Sequence, residues 1–109
     1  MKTLKFKDYL ARMILKGEKT CTWRFFDDKD LRKGDELTFV NADTGEEFAK
    51  AHIFEIYEKK IGEVDEKDFI GHEPFESEEE MYRIYKSYYG ERINKETIIK
   101  IIRFKILNK

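Results

Sequence analysis

The spacing of apolar residues along this chain alternates between helical and strand periods, and the changes mark its elements. From Asp8 to Lys16, Tyr9, Leu10, Met13 and Ile14 recur at helical spacing, and Gly17 follows where a left-handed helix end is expected, so a short helix is predicted. Residues 20 to 26 set Thr20, Thr22 and Arg24 on one face and Cys21, Trp23 and Phe25 on the other, the pattern of a strand with unequal faces. Lys33-Gly34-Asp35 is a turn signal ahead of a strand at Leu37-Thr38-Phe39-Val40, and Asn41 to Gly45 reads as a hairpin. Phe48 to Glu58 follows as a long strand with apolar groups on both faces, as a barrel wall requires.

Asp65 to Phe69 reads as one capped helical turn, and Ser77-Glu78-Glu79-Glu80 as a capping box that opens a second helix. Met81, Ile84, Tyr85 and Tyr88 form the expected buried stripe of that helix, with Gly90 ending it. Thr97 to Leu107, dense in Ile but broken by Lys100, Arg103 and Lys105, is the closing strand, with its charges at an edge or rim. The order is helix, three strands, helix, strand. Strands that mostly follow one another predict an α+β fold, closed as a small mixed β-barrel with inserted helices, rather than a doubly wound parallel sheet.

Composition narrows the picture further. A chain of 109 residues fits one domain, 1–109, able to bury roughly two-thirds of its unfolded surface. At 40% hydrophobic and 15% aromatic it has core material enough to fold, although 41% of it is charged. The 22 Lys and Arg against 23 Asp and Glu leave no global field to hold long nucleic acid, so any RNA contact has to be local. Gln is absent and Glu and Lys dominate, which resembles the surfaces of heat-adapted proteins.

Cys21 is the single cysteine, so no intramolecular disulfide forms and a reducing cytoplasm is the expected setting. No stretch approaches the ~20 apolar residues that span a bilayer, and no membrane partner is expected. His52 and His72 with Cys21 make no recognisable ligand spacing, and phosphate-loop and dinucleotide glycine patterns are missing, so neither metal nor cofactor is expected. His52 reads as a structural or surface residue, His72 as a residue of a pocket mouth, and Cys21, opposite Thr22, as an inert buried thiol.

By residue type alone, Lys19 and Arg24 are solvated charges and Thr20 and Thr22 ordinary strand formers. Their arrangement says more. Gly17-x-Lys19-x-x-x-x-Arg24, directly after the first helix, resembles the motif of the ASCH domains, a PUA-like family. Lys33-Gly34-Asp35 before a strand, the acidic helix ending at Tyr88-Tyr89-Gly90 and the final Ile-Ile-Arg-Phe-Lys-Ile run follow that family's order over nearly the whole chain.

The resemblance implies a PUA-like pseudobarrel with a cleft for RNA or a modified nucleoside between the first helix-strand turn and the inserted helix. One ASCH branch contains small amidohydrolases that deacetylate acetylcytidine with a Lys, a Thr three residues on and a later Glu. Lys19 and Thr22 match the first two, and Glu73 takes the third place when the helices are aligned at Gly90, with Glu76 as the alternative. The resemblance thus implies Lys19, Thr22 and Glu73 as catalytic, with Gly17, Thr20, Arg24, Tyr82 and Tyr89 at the substrate; Tyr82 or Tyr89 would stack on a base. Two other functions stay open: a non-catalytic RNA-binding module using Arg24, Lys100, Arg103 and Lys105, and a metal-independent ribonuclease.

Overall fold

In the computed structural model, which describes residues 1–108, the chain builds five strands and two helices: β1 Lys2–Phe6, α1 Asp8–Leu15, β2 Cys21–Phe25, β3 Glu36–Asn41, β4 Glu47–Lys60, α2 Glu78–Tyr89 and β5 Ile98–Asn108. The strands form one mixed sheet in the order β1-β3-β4-β5-β2. β1 pairs parallel with β3, while β3 with β4, β4 with β5 and β5 with β2 are antiparallel. The sheet curls into a half-barrel whose two edge strands, β1 and β2, meet across a seam where Arg24 on β2 donates to the carbonyl of Lys5 on β1 at 3.0 Å.

The predicted elements are present, with β1 added ahead of them. Its five residues, Lys-Thr-Leu-Lys-Phe, offer two apolar side chains, and its partner lies more than 30 residues on, so no local pattern announces it. Both of those side chains, Leu4 and Phe6, are buried.

β5 joins two cores. Ile102 and Phe104 on one face pack with Leu4, Phe6, Ile14, Leu37, Phe39, Ala51 and Ile53. Ile99 and Ile101 on the other pack with Cys21, Trp23, Phe25, Ile61, Met81 and Tyr85 beneath α2. A strand buried on both faces reads as a continuous apolar run, which is what the Ile-rich segment shows.

Two local devices place the site. The first is the end of α1, where Gly17 at φ +79° donates its N–H to Ile14 C=O and Glu18 donates to Met13 C=O. This paired Schellman arrangement turns the chain sharply into β2. The second is the N-cap of α2, where Ser77 Oγ accepts from Glu80 N–H at 3.0 Å. Glu80 returns a bond to the N–H of Glu76 rather than of Ser77, one residue earlier than a capping box predicts.

The buried stripe of α2 is also rotated from the expected one. Met81 and Tyr85 are buried and Tyr82 and Tyr89 pack partly against the second core, whereas Ile84 is half-buried and Tyr88 is 48% exposed.

Candidate functional site

The seam between β1 and β2, roofed by the C-terminal half of α2, holds a recess of about 320 Å³. Its lining comes from β1 and its exit (Lys5, Phe6, Lys7), from β2 (Thr22, Trp23, Arg24), from His72 and Glu73, and from Tyr85, Tyr88 and Tyr89 of α2. Another recess, of about 260 Å³ under the start of α2, is walled by Ile61, Val64, Phe69, Phe75 and Met81 and brings no cluster of titratable groups together.

Behind the seam recess, outside its lining but in contact with Glu73, lies Lys19. Its side chain is 1% exposed, and its ammonium donates to the Cys21 carbonyl at 2.7 Å and to Glu73 Oε1. A lysine so far from water is driven toward its neutral form, and its pKa falls below the ordinary lysine value although Glu73 pulls the other way. Burial pushes the Glu73 carboxyl up, but Lys19, His72 and hydrogen bonds outweigh it, so Glu73 ends below the usual carboxylate range and stays ionised.

Glu73 owes its place to a segment folded far from Lys19 in sequence. Asp68, 2% exposed, accepts from Tyr57 Oη at 2.7 Å, Lys59 Nζ at 2.7 Å and Asp65 N–H at 2.8 Å, while its carbonyl accepts from Trp23 Nε1 at 3.4 Å. Gly71 then lies directly on the entry to β2. Its carbonyl accepts the N–H of Thr20 at 2.8 Å and of Cys21 at 3.1 Å, and a Cβ on it would stand 2.2 Å from Thr20 Oγ1. Only glycine allows that approach, at φ +79°.

His72 locks the carboxylate's own backbone. Its Nδ1 is 2.8 Å from the Glu73 carbonyl, which can only accept, so Nδ1 carries the proton and Nε2 accepts from Tyr85 Oη at 3.3 Å. The ring stacks on Trp23 with centroids 4.1 Å apart. Burial, followed by the charge of Lys19, drops its pKa to about 4, so the imidazole is neutral at pH 7. It is buried beside Glu73, deeper than the mouth position expected from sequence.

Of the residues singled out in the sequence, Glu73, Thr22, Arg24 and Tyr89 line the recess, while Lys19 lies outside the lining and reaches it only through its contact with Glu73. Glu76, the alternative to Glu73, is exposed. Gly17, Thr20 and Tyr82 are not part of the lining: Gly17 shapes the turn, Thr20 docks the 65–72 segment, and the Tyr82 hydroxyl is buried without a hydrogen-bond partner among the described residues. Cys21 is fully buried, and burial raises its thiol pKa.

The cations expected to form an RNA-binding rim mostly have internal partners. Arg24 bonds Lys5 C=O and lies 4.7 Å over the Phe6 ring, and Lys100 pairs with Asp27 at 2.8 Å. Arg103 pairs with Glu55 and donates to the carbonyls of Lys67 and Ile70. Sequence patterns did not single out Lys5, Phe6, Lys7 or Tyr85 as recess residues; the first three follow from the unannounced β1.

No family model matches this sequence and no curated protein is similar to it. Solved structures are. A protein of Enterococcus faecalis V583 superposes at TM-score 0.77 with 17% identity over 97% of this chain and 79% of its own. An ASCH domain from Lactobacillus crispatus JV V101 gives 0.71 and 15% over 96% and 79%, and a Pyrococcus furiosus protein 0.70 and 21% over 99% and 98%. Together with the half-barrel and its two helices, these likenesses identify the fold as the PUA-like fold of ASCH domains.

Proposed function

We propose that a chain with the ASCH fold and this recess is a metal-independent amidohydrolase that removes the acyl group from an N-acylated pyrimidine nucleoside such as acetylcytidine. The observation that carries the reading is the buried Lys19–Glu73 pair beneath a nucleoside-sized recess with Thr22 on its wall. Outside catalysis, a lysine 1% exposed is an expensive way to hold a loop, because desolvating both charges opposes what the pair gains.

In the proposed reaction the Thr22 hydroxyl attacks the acyl carbon while its proton passes to the neutral Lys19 amine, to which burial predisposes it. The bond from that carbon to the exocyclic nitrogen breaks, the Lys19 ammonium returns the proton to the departing nitrogen, and the acyl group remains as an ester on Thr22. Water then adds to the ester carbon, again losing a proton to Lys19. The carbon–oxygen bond to Thr22 breaks as the ammonium reprotonates the hydroxyl, and the carboxylic acid leaves.

Glu73, held ionised, supports the ammonium that forms in each half-reaction, and the departing amine is protonated by Lys19. Arg24 contributes a fixed positive charge to the recess, suited to an oxygen that becomes negative as the carbonyl is attacked. Tyr89 supplies an aromatic wall for the base.

Purified protein incubated with acetylcytidine and a chelator is expected to release cytidine, read by chromatography. Failure to release it removes this reading. Salt-weakened binding of short RNA without turnover would put a non-catalytic RNA-binding module in its place.

A further inference from the structure

The rim of the recess holds charge that the proposed hydrolysis does not use. Lys5 and Lys7 flank Phe6 where β1 leaves the sheet, and both have exposed side chains lining the recess. Neither has a salt-bridge partner among the described residues. The Lys7 ammonium lies 5.6 Å from the centroid of the Tyr88 ring on α2, so it reaches toward the opposite wall.

The charges of the lining are Lys5, Lys7 and Arg24 against Glu73, so positive charge exceeds negative whether or not Lys19 carries its proton. Three positive charges against one negative therefore face a recess in a protein whose net charge is −1. The acidic first turn of α2 does not cancel them. Glu80, the nearest of its carboxylates, stands eight positions before Tyr88, about 12 Å along a helix, and faces Arg83, while Glu78 borders the other recess. Low-dielectric walls concentrate such a local field, which draws an anion to the mouth.

We propose that the ligand of this recess carries a phosphate, held at the rim by Lys5 and Lys7 while the base lies against the tyrosines within. Resting on the amidohydrolase reading of the same site, this makes an acylated pyrimidine nucleotide a better substrate than the free nucleoside, which is still accepted. The shared chemistry is a phosphate on the ribose, whether terminal or inside an RNA strand.

The test is calorimetric titration of cytidine and cytidine 5′-monophosphate into wild-type protein and into a Lys5→Ala/Lys7→Ala double variant, whose changes touch only exposed side chains. The monophosphate is expected to bind wild type about tenfold tighter at low salt, with the advantage shrinking as salt is added and falling to about one in the double variant. Equal affinity for the two ligands in wild type, an advantage that survives the double variant, or no binding of either overturns the inference.

A dinucleotide in which the cytidine 5′-phosphate is a diester separates the two sources. Affinity equal to the monophosphate's places the substrate within RNA, weaker affinity places it among free nucleotides, and both keep the phosphate site. Because turnover is not read, preferential binding of the monophosphate by a protein that leaves acetylcytidine intact would sink the proposed reaction alone.

Discussion

His72 shows how a single side chain ties stability to the site. Its imidazole is neutral in the fold with a pKa of about 4, against 6.5 when exposed, so between those values the unfolded chain binds a proton that the folded chain does not. A depressed histidine stabilises the fold above pH 6.5, and that contribution drains away as pH falls toward 4. The expected loss is about 3 kcal/mol. Urea denaturation at pH 7, 5.5 and 4.5 measures it; a His72→Phe variant should show a flatter dependence, and a slope no different from wild type's would remove this account of the imidazole.

Glu73 acts on Lys19 through charge, and that too has a sign. Glu73 raises the pKa of Lys19 against the larger lowering by burial, so Glu73→Gln should leave Lys19 with a lower pKa still. If the Lys19 amine accepts the Thr22 proton, activity rises with pH as Lys19 loses its own proton, and the variant's rising limb should shift to lower pH. A profile of kcat/KM against pH for both proteins checks the direction, which a purely structural Glu73 would not move.

At the scale of elements, Gly17 and Gly71 have the same φ, +79°, but differ in what surrounds them. Gly17, at the end of α1, faces open space, so Gly17→Ala costs only the strained backbone, about 1 kcal/mol. Gly71→Ala adds a clash with Thr20 Oγ1, and separating the 65–72 segment from β2 would carry Glu73 away from Lys19. It should cost at least about 2 kcal/mol and lower activity far more than Gly17→Ala does. Thermal unfolding and turnover of the two variants, side by side, decide this.

The elements themselves were legible to the extent that their signals are local. Helix α1 with its glycine stop, the capped start of α2 and the Ile-rich β5 announce themselves in spacing and end residues. β1 does not, since its partner is β3 and its pattern is Lys-Thr-Leu-Lys-Phe. The face of α2 is rotated as well: Tyr88 fits a helical stripe by spacing, yet it borders the recess and is exposed rather than packed in the core.

For the whole molecule, curling a five-stranded sheet brings its two edges together, and the seam they leave is where the candidate site lies. The motif residues Lys19, Thr22 and Arg24 are near one another in sequence and could be singled out there. Glu73 is 54 residues from Lys19, and what carries it across is the Asp68 hydrogen-bond cluster and the close approach of Gly71, neither of which has a sequence pattern. Lys5 and Lys7 entered the site only with β1.

The central claim, that Lys19, Thr22 and Glu73 act as one catalytic unit, is tested most directly by kcat/KM for acetylcytidine in Lys19→Met, Thr22→Val and the double variant, with circular dichroism confirming that each is folded. Residues acting as a unit are not additive, so each single change should lower kcat/KM at least about a hundredfold and the double change little further. A folded Lys19→Met protein that keeps wild-type kcat/KM would contradict the account.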